Sequence, residues 1–239
     1  MVDDKRILVI IPAYNESENI QRTVKEVLSQ KLILTPLVVD DGSLDETAQR
    51  ARQAGAVVVS LPFNIGIGGA VQTGFQFALQ NGFDVAVQVD GDGQHDVSYL
   101  EKLIEPVLNK EADMVIGSRF LPPYLSYRSS FVRSIGINFF AHLISFLTAV
   151  KITDSTSGFR AYNKKLIKVF ATNYPHDFPE PEAIVVAKRL GAKLIEVPVK
   201  MRKRESGHSS IRYLVTLYYM VKVTFAILLN MLKKKRKAD

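Results

Sequence analysis

The chain of 239 residues is long enough to bury one full hydrophobic core, and its composition indicates a single catalytic-sized domain with a tail. It contains no cysteine, which excludes disulfides and thiolate metal sites and favours a reducing compartment. The formal charge is +7, but the basic run at 233–237 carries most of it, so the charge balance excludes a nucleic-acid-binding protein. The opening MVDDKR is acidic where a secretory signal is basic, and we expect no signal peptide.

Short β-branched runs alternate with stretches of helical spacing, which predicts an α/β fold with a parallel, doubly wound sheet. The first helix is expected to begin at Glu16 or Ser17, with Asn15 as its N-cap. The second is expected to start at 44 or 45 and to end at Gly55. The predicted strands are Ile7–Ile11, Leu37–Val39, Val57–Leu61, Val85–Val89 and Met114–Ile116.

Polar residues follow three of these strands. In open α/β sheets, ligands bind beyond the carboxyl ends of the strands, so side chains that follow different strands meet at one edge. Asp and Asn also favour turns, but three such clusters at successive strand ends predict a binding site. The clusters are Tyr14 to Glu16, Asp40 with Asp41, and Asp90 with Asp92.

The segment VQVDGDGQH places Asp90 and Asp92 two residues apart, with Gln94 and His95 just beyond. Carboxylates two apart in extended backbone point the same way and can share a divalent cation. A hard ion such as Mg²⁺ or Mn²⁺ suits these oxygen ligands and a pyrophosphate group. The glycine-rich stretch at 64–74 lacks the Gly-Lys-Ser/Thr ending of a phosphate loop, so its glycines serve either close approach to a ligand or close packing.

Seven motifs follow one another along the chain, namely IPAYNE, VVDDGSLDET, NIGIGGAVQTGFQFA, VDGDGQH, GSRF, DSTSGFRAY and PEPE. In this order they resemble the motifs of the inverting glycosyltransferase family 2. The likeness is greatest to the branch of dolichol-phosphate mannose synthases and polyprenyl-phosphate glycosyltransferases. It implies a GT-A fold, which is Rossmann-like with a mostly parallel sheet flanked by helices, over 1–210. It also implies a nucleotide-diphosphate-sugar donor and Mg²⁺ or Mn²⁺ as cofactor.

The resemblance assigns roles to residues of the first motifs. Pro12, Tyr14 and Glu16 would line the base and ribose pocket, and Asp41 would contact the base. A tyrosine ring offers a stacking face, and carboxylates accept hydrogen bonds from base N–H groups and ribose hydroxyls. The predicted ligands of the metal and diphosphate are Asp90, Asp92 and Gln94.

Cations are expected near a diphosphate donor, and Arg suits bidentate phosphate contacts. The resemblance places Arg119 with a catalytic, acceptor-phosphate role and Arg202 with the donor phosphates. Further phosphate or acceptor contacts are predicted for Arg160, Lys203 and His208.

Asp154 and Glu182 resemble the acceptor-side acids of the family and complete the predicted catalytic set of Asp92, Arg119, Asp154 and Glu182. A hydroxyl acceptor needs a general base, whereas a phosphate monoester is already anionic near neutral pH. If the acceptor is a saccharide hydroxyl, one of the two acids is the base. If it is polyprenyl phosphate, they orient the arginines or the transferred sugar.

The tail at 211–239 is predicted to form an apolar, amphipathic helix with a basic end. Residues 213–232 carry one charge, Lys222, which disfavours a membrane span, and KKKRK follows. An interfacial helix drawn to anionic lipid fits this pattern, as does a core helix with a solvated tail. A second amphipathic helix is expected at 131–150. These features predict a peripheral or monotopic protein at the cytoplasmic face of the cell membrane.

Three functions remain open at this point. The leading one is sugar transfer to polyprenyl (dolichyl or undecaprenyl) phosphate. The second is extension of a membrane-bound saccharide in cell-wall or surface-polysaccharide assembly. The third is a catalytically inactive module that binds nucleotide sugar or a membrane surface, which the intact Asp90 and Asp92 disfavour.

Overall fold

The protein is described by a computed structural model covering residues 5–123, 131–176, 179–202, 222–225 and 227. Helices and strands alternate through most of this part. The strands are β1 (Ile7–Ala13), β2 (Leu34–Asp40), β3 (Val57–Ser60), β4 (Val85–Gln88), β5 (Met114–Ser118), β6 (Arg160–Asn163) and β7 (Leu194–Pro198). The helices are α1 (Ile20–Leu28), α2 (Thr47–Gln53), α3 (Ile67–Gln80), α4 (Leu100–Leu108), α5 (Phe131–Thr148), α6 (Lys164–Thr172) and α7 (Pro179–Arg189), with a 3₁₀ turn at Val97–Tyr99.

The strands form one sheet in the order β3-β2-β1-β4-β6-β5-β7. All neighbouring pairs are parallel except those that involve β6, which runs antiparallel to β4 and β5. The amino end of β6 therefore lies at the edge where the parallel strands end, and Arg160 pairs with Gln88. We call this edge the carboxyl edge. The predicted α/β fold with a mostly parallel sheet is confirmed, and β6 is the strand that departs from the parallel direction.

The two faces of the sheet bury two hydrophobic clusters. All seven residues of β1 are buried, because helices cover both faces of this central strand. Leu8 and Ile10 pack on the face covered by α3 and α6, while Val9 and Ile11 pack on the face covered by α1 and α4. Each such side chain stabilises the fold by about 1.5–3 kcal/mol. The core thus holds the strand ends, and the loops that follow them, in fixed positions.

The five predicted strands are confirmed, but both predicted helix starts are wrong. Helix α1 begins at Ile20 after Asn19, because the preceding residues form a loop in which Asn15 has a positive φ of 54°. Helix α2 begins at Thr47, where the Asp45 carboxylate accepts a hydrogen bond from the Thr47 backbone N–H. The predicted stop at Gly55 is confirmed, with a φ of 99°.

Helix α5 confirms the helix expected at 131–150, and its exposed side chains include Phe139 and Phe146. Within the ranges that the structure describes, no helix is long and apolar enough to cross a membrane. The predicted tail helix lies almost entirely outside those ranges, and so does the domain boundary at 210. Both stay predictions.

Candidate active site

A cleft of about 610 Å³ opens at the carboxyl edge, above the ends of β2, β1 and β4. The predicted clusters that follow these three strands meet in its wall, as the strand order requires. We call this part of the edge the cleft side. Six of the predicted site residues line it, namely Pro12, Tyr14, Glu16, Asp41, Asp90 and Asp92.

The loop that carries Tyr14 is held by hydrogen bonds to the loop after β2. The Asn15 backbone N–H donates to Ser43 Oγ at 2.9 Å, and the Leu44 backbone N–H donates to Asn15 Oδ1 at 2.9 Å. The second contact occupies Oδ1 of the Asn15 side chain, and the neighbouring Tyr14 is 45% exposed at the cleft. A flat, exposed aromatic face in this position can stack on a base or a sugar ring.

Asp41 is almost fully buried in the wall of the cleft, where it binds backbone. Its carboxylate oxygens accept from the Ile65 and Gly66 N–H groups at 2.8 and 2.9 Å. Gly66 has a φ of 88°, a conformation that favours glycine. Asp41 therefore fixes the loop that leads into α3, and its predicted contact with a base stays a prediction.

The loop after β4 brings Asp90 and Asp92 to the cleft together. One oxygen of Asp92 accepts from the Gln94 backbone N–H at 3.0 Å, which shapes the turn. Among the described residues, no cluster of three or more acidic or histidine side chains is able to hold a metal ion. Two carboxylates completed by substrate phosphate oxygens are a usual set for Mg²⁺, so Asp90 and Asp92 fit a cation that binds together with a diphosphate.

Gln94 was predicted as a third ligand of the metal, but it does not appear in the wall of the cleft. Both of its backbone polar groups are used within the loop region. Its N–H donates to Asp92 Oδ1, and its carbonyl oxygen accepts from the Arg202 N–H at 2.9 Å. The structure thus shows Gln94 as a part of the loop's scaffold, and a side-chain contact with a metal stays a prediction.

A buried ion pair lies where β5 ends, on the part of the carboxyl edge formed by β6, β5 and β7, which we call the buried side. Arg119 donates from Nε and Nη2 to the two oxygens of Asp154 at 2.6 and 2.7 Å, and its backbone N–H donates to Oδ2 at 3.1 Å. The two residues are 3% and 0% exposed. A carboxylate saturated in this way orients a guanidinium and is poorly placed to take a proton from an acceptor.

A second carboxylate, that of Glu196, holds the turn that carries Asp154. Glu196 on β7 accepts from the backbone N–H groups of Thr153 and Asp154 at 2.8–2.9 Å, and from Thr153 Oγ1 at 2.8 Å. Burial raises the pKa of Glu196 above its usual value, although these hydrogen bonds oppose the shift. The turn that presents Asp154 is therefore fixed by a strand distant in sequence.

Two predicted phosphate-binding arginines have protein partners. Arg160 is fully buried, and its guanidinium donates to the carbonyl oxygens of Ser155, Ser157 and Glu180 at 2.6–3.0 Å. The structure places it inside the protein, away from the cleft wall. Arg202 pairs with carboxylates on two other elements, at 2.6 Å from Glu26 and 3.2 Å from Asp96. Burial lowers the pKa of Arg202, but these partners outweigh it and the net shift is upward.

Two glutamates from the PEPE motif lie in the first turn of α7. Glu182, the predicted acid, is 8% exposed. Burial raises the pKa of Glu180, the Arg160 charge opposes this, and smaller effects come from Asp90 and Arg119. The charges of Asp90 and Arg119 act on the pKa of Glu180 in opposite directions, the first raising it and the second lowering it. Glu182 was predicted from the resemblance to family 2, and the same motif also carries Glu180.

Residues 8–170 match the sequence profile of the family described as "Glycosyl transferase family 2". The chain belongs to this family. The match runs from β1 into α6 and so includes the cleft side and, of the buried side, β5 and β6. It confirms the family that the ordered motifs predicted.

Two relatives show which branch of the glycosyltransferases is most similar. The UDP-N-acetylglucosamine–dolichyl-phosphate N-acetylglucosaminyltransferase of Methanococcus voltae is 31% identical over 82% of this chain and 86% of the relative. The undecaprenyl-phosphate mannosyltransferase of Micrococcus luteus is 33% identical over 86% of this chain and 87% of the relative. The predicted resemblance to polyprenyl-phosphate glycosyltransferases is confirmed.

A solved structure shows the same fold. Glucosyl-3-phosphoglycerate synthase from Mycobacterium tuberculosis, in complex with Mn²⁺, uridine diphosphate and glucosyl-3-phosphoglycerate, matches with a TM-score of 0.70. The match covers 95% of this chain and 80% of that chain at 22% identity. The GT-A architecture predicted for this glycosyltransferase is confirmed.

Two predicted contacts fall outside the described residues of this glycosyltransferase. Lys203 and His208 both follow Arg202, the last described residue before 222. Their proposed contacts with phosphate or acceptor stay predictions.

Proposed function

We propose that this glycosyltransferase moves a sugar from a nucleotide-diphosphate sugar to a polyprenyl phosphate and inverts the anomeric carbon. The observation that carries the proposal is the buried pair of Arg119 and Asp154. It gives the buried side a fixed guanidinium and leaves Asp154 without the freedom that a general base needs. An acceptor that is already an anion suits this arrangement, and both relatives are named for polyprenyl-phosphate acceptors.

The donor is assigned to the cleft. Tyr14 offers its exposed ring to the base, and Asp90 with Asp92 faces the diphosphate. When bound there, Mg²⁺ or Mn²⁺ supplies charge neutralisation for the departing nucleoside diphosphate. These placements put the anomeric carbon between the cleft side and the buried side.

The acceptor is assigned to the buried side. A phosphate monoester carries at least one full negative charge near neutral pH, so its oxygen attacks without losing a proton to the protein. That oxygen forms a bond to the anomeric carbon while the bond from this carbon to the donor phosphate breaks. Arg119, held by Asp154, orients the acceptor phosphate. Displacement in line inverts the configuration at carbon.

We further propose that the reaction takes place at the cytoplasmic face of the cell membrane, on a peripheral or monotopic protein. A polyprenyl chain partitions into the bilayer, so its phosphate lies at the surface. Exposed Phe139 and Phe146 on α5, seven residues apart on one helical face, offer apolar contact with such a surface. Co-sedimentation with anionic and with neutral vesicles tests membrane binding. A protein that binds neither kind of vesicle would contradict the proposal.

The transfer itself is tested with purified protein, Mn²⁺, undecaprenyl phosphate and a panel of labelled nucleotide sugars. The expected product is label in the organic phase that mild acid releases, which is typical of a lipid phosphosugar. Label in polymer alone would instead support extension of a saccharide. Binding of nucleotide sugar without any transfer would support the inactive module.

A further inference from the structure

The loop that carries Asp90 and Asp92 is closed by the side chain of its last residue. The backbone N–H of Asp90 donates to Nδ1 of His95 at 3.0 Å, across five residues. His95 is 2% exposed, which is unusual for an imidazole so close to an open cleft. The loop is thus closed into a ring by a hydrogen bond between the main chain of Asp90 and the imidazole of His95.

The hydrogen bond determines where the proton of the neutral imidazole lies. Since Nδ1 accepts from a backbone N–H, the proton of a neutral ring is on Nε2. Nε2 lies 3.6 Å from Oδ2 of Asp90. His95 therefore holds Asp90 at its main chain and turns an N–H toward its carboxylate.

The ring is fixed on its other sides as well. It stacks on Phe159, just before β6, with centroids 4.8 Å apart and planes 13° from parallel. The main chain of His95 forms a β-bridge with Met201, and the neighbouring Gln94 accepts from the N–H of Arg202. Contacts from three parts of the chain thus hold a side chain that does not reach the cleft.

We propose that His95 is a positioning residue, which holds Asp90 in the orientation required to bind the divalent cation. The inference deepens the proposed function and rests on it for the identity of the cation site. The physical reason is the usual one for groups behind a metal ligand: a carboxylate that is already fixed loses less freedom when it binds the cation. The His95 ring is buried and takes no place in the coordination sphere.

Three variants separate this role from simple packing. His95→Asn keeps an acceptor, Oδ1, near the position of Nδ1. His95→Phe keeps the stacking on Phe159 but removes both nitrogens. His95→Gln places its amide near Nε2 and lacks the Nδ1 acceptor. His142→Asn is the matched control, because His142 is exposed on α5 and bonds the Asn138 carbonyl oxygen of its own helix.

The readout is the affinity for Mn²⁺, obtained by measuring the free ion with electron paramagnetic resonance. The titration is done on the full-length protein alone and again with UDP or GDP added. His95→Phe is expected to weaken binding by about 10–100-fold, the range found for groups behind metal ligands. His95→Gln should behave like His95→Phe, while His95→Asn and His142→Asn should stay close to the wild type. Thermal melting without metal identifies any variant that is unfolded. If His95→Phe is unfolded, His95→Gln takes its place in the comparison.

Two results from the variants would overturn the inference. One is a folded His95→Phe protein with wild-type affinity for Mn²⁺. The other is an equal loss in His95→Asn, which would make the ring a packing element alone. The proposed function fails separately, when wild-type protein binds Mn²⁺ but transfers no sugar to polyprenyl phosphate. Transfer by the wild type in the presence of EDTA would overturn the inference and leave sugar transfer standing.

Discussion

The cleft side and the buried side of the carboxyl edge hold their polar side chains in opposite ways. On the cleft side, polar side chains bind backbone amides of neighbouring loops and leave an open wall with an exposed Tyr14. On the buried side, Arg119, Asp154 and Arg160 are at most 3% exposed and bind each other or carbonyl oxygens. One side is shaped to receive a ligand from solvent, and the other holds its charges in place before any ligand arrives.

This difference predicts whether a substitution should change activity alone or activity together with stability. Removing an exposed or half-buried cleft-side group takes away a contact with a ligand and leaves the fold intact. Removing a buried-side group leaves a partner charge without compensation inside the protein, so stability and activity fall together. The predictions below test this separation, from the largest expected effect to the smallest.

Asp92→Ala should reduce sugar transfer by at least about 1,000-fold, since a metal ion contributes several kcal/mol of transition-state stabilisation. Its free energy of unfolding should stay within about 0.5 kcal/mol of the wild type, because the carboxylate is partly exposed. Initial rates and urea titration measure the two quantities. Glu101→Ala, an exposed change in α4, is the control and should affect neither. Full metal-dependent transfer by Asp92→Ala would remove Asp92 from the site.

Asp154→Asn should lower the free energy of unfolding by about 3–5 kcal/mol, because Arg119 then stays charged and buried without its partner. Transfer should fall as well. The double variant Arg119→Met with Asp154→Leu should recover much of the stability in urea but none of the transfer. If the double variant were as active as the wild type, the pair would be structural alone.

Tyr14→Ala should weaken binding of the nucleotide sugar by about 1–3 kcal/mol, the range found for stacking of a base on an aromatic ring. Stability should change little, since the ring is 45% exposed. Calorimetric titration with the preferred donor measures the loss. Phe63→Ala removes an exposed aromatic ring that does not line the cleft, and it should leave binding unchanged. Equal losses in both variants would argue against stacking.

Glu180→Gln should change how stability depends on pH. Burial raises the folded-state pKa of Glu180 above 4.5, so the stability linked to this group is present below its unfolded pKa and is lost as pH rises through the folded value. Relative to the wild type, Glu180→Gln should therefore become more stable as pH rises from about 4 to about 8. Urea midpoints at several pH values measure this, and parallel pH profiles would contradict it.

The sequence predicted the cleft side well, because its signals are local. A β-branched run followed by Asp and Gly predicts both a strand and a polar turn, and the wall of the cleft is built from such turns. The helix starts were wrong for the same local reason. Asn15 looks like an N-cap, but its side chain bonds Leu44, a partner that sequence spacing does not reveal.

The buried side was harder to predict, because its partners are distant in the chain. Four residues of β6 give too short a run to stand out, and their antiparallel pairing depends on β4 and β5. Arg160 carries the charge of a phosphate ligand, but its burial follows from contacts with residues up to Glu180. The alternative in which Asp154 orients an arginine was open from the sequence, and only the geometry favours it over a base.

A glycine at the start of α3 restricts which amino acids the protein can carry at that position. A methyl group on Gly68 would overlap the backbone oxygens of Pro175 and His176, on the chain that leads to α7. The glycines of the stretch at 64–74 were predicted to serve either close approach to a ligand or close packing, and Gly68 serves close packing. Backbone here touches backbone, so no change of rotamer in a neighbour makes room. Position 68 should tolerate no other amino acid in a saturation library, however mild the substitution, although it carries no chemistry of its own.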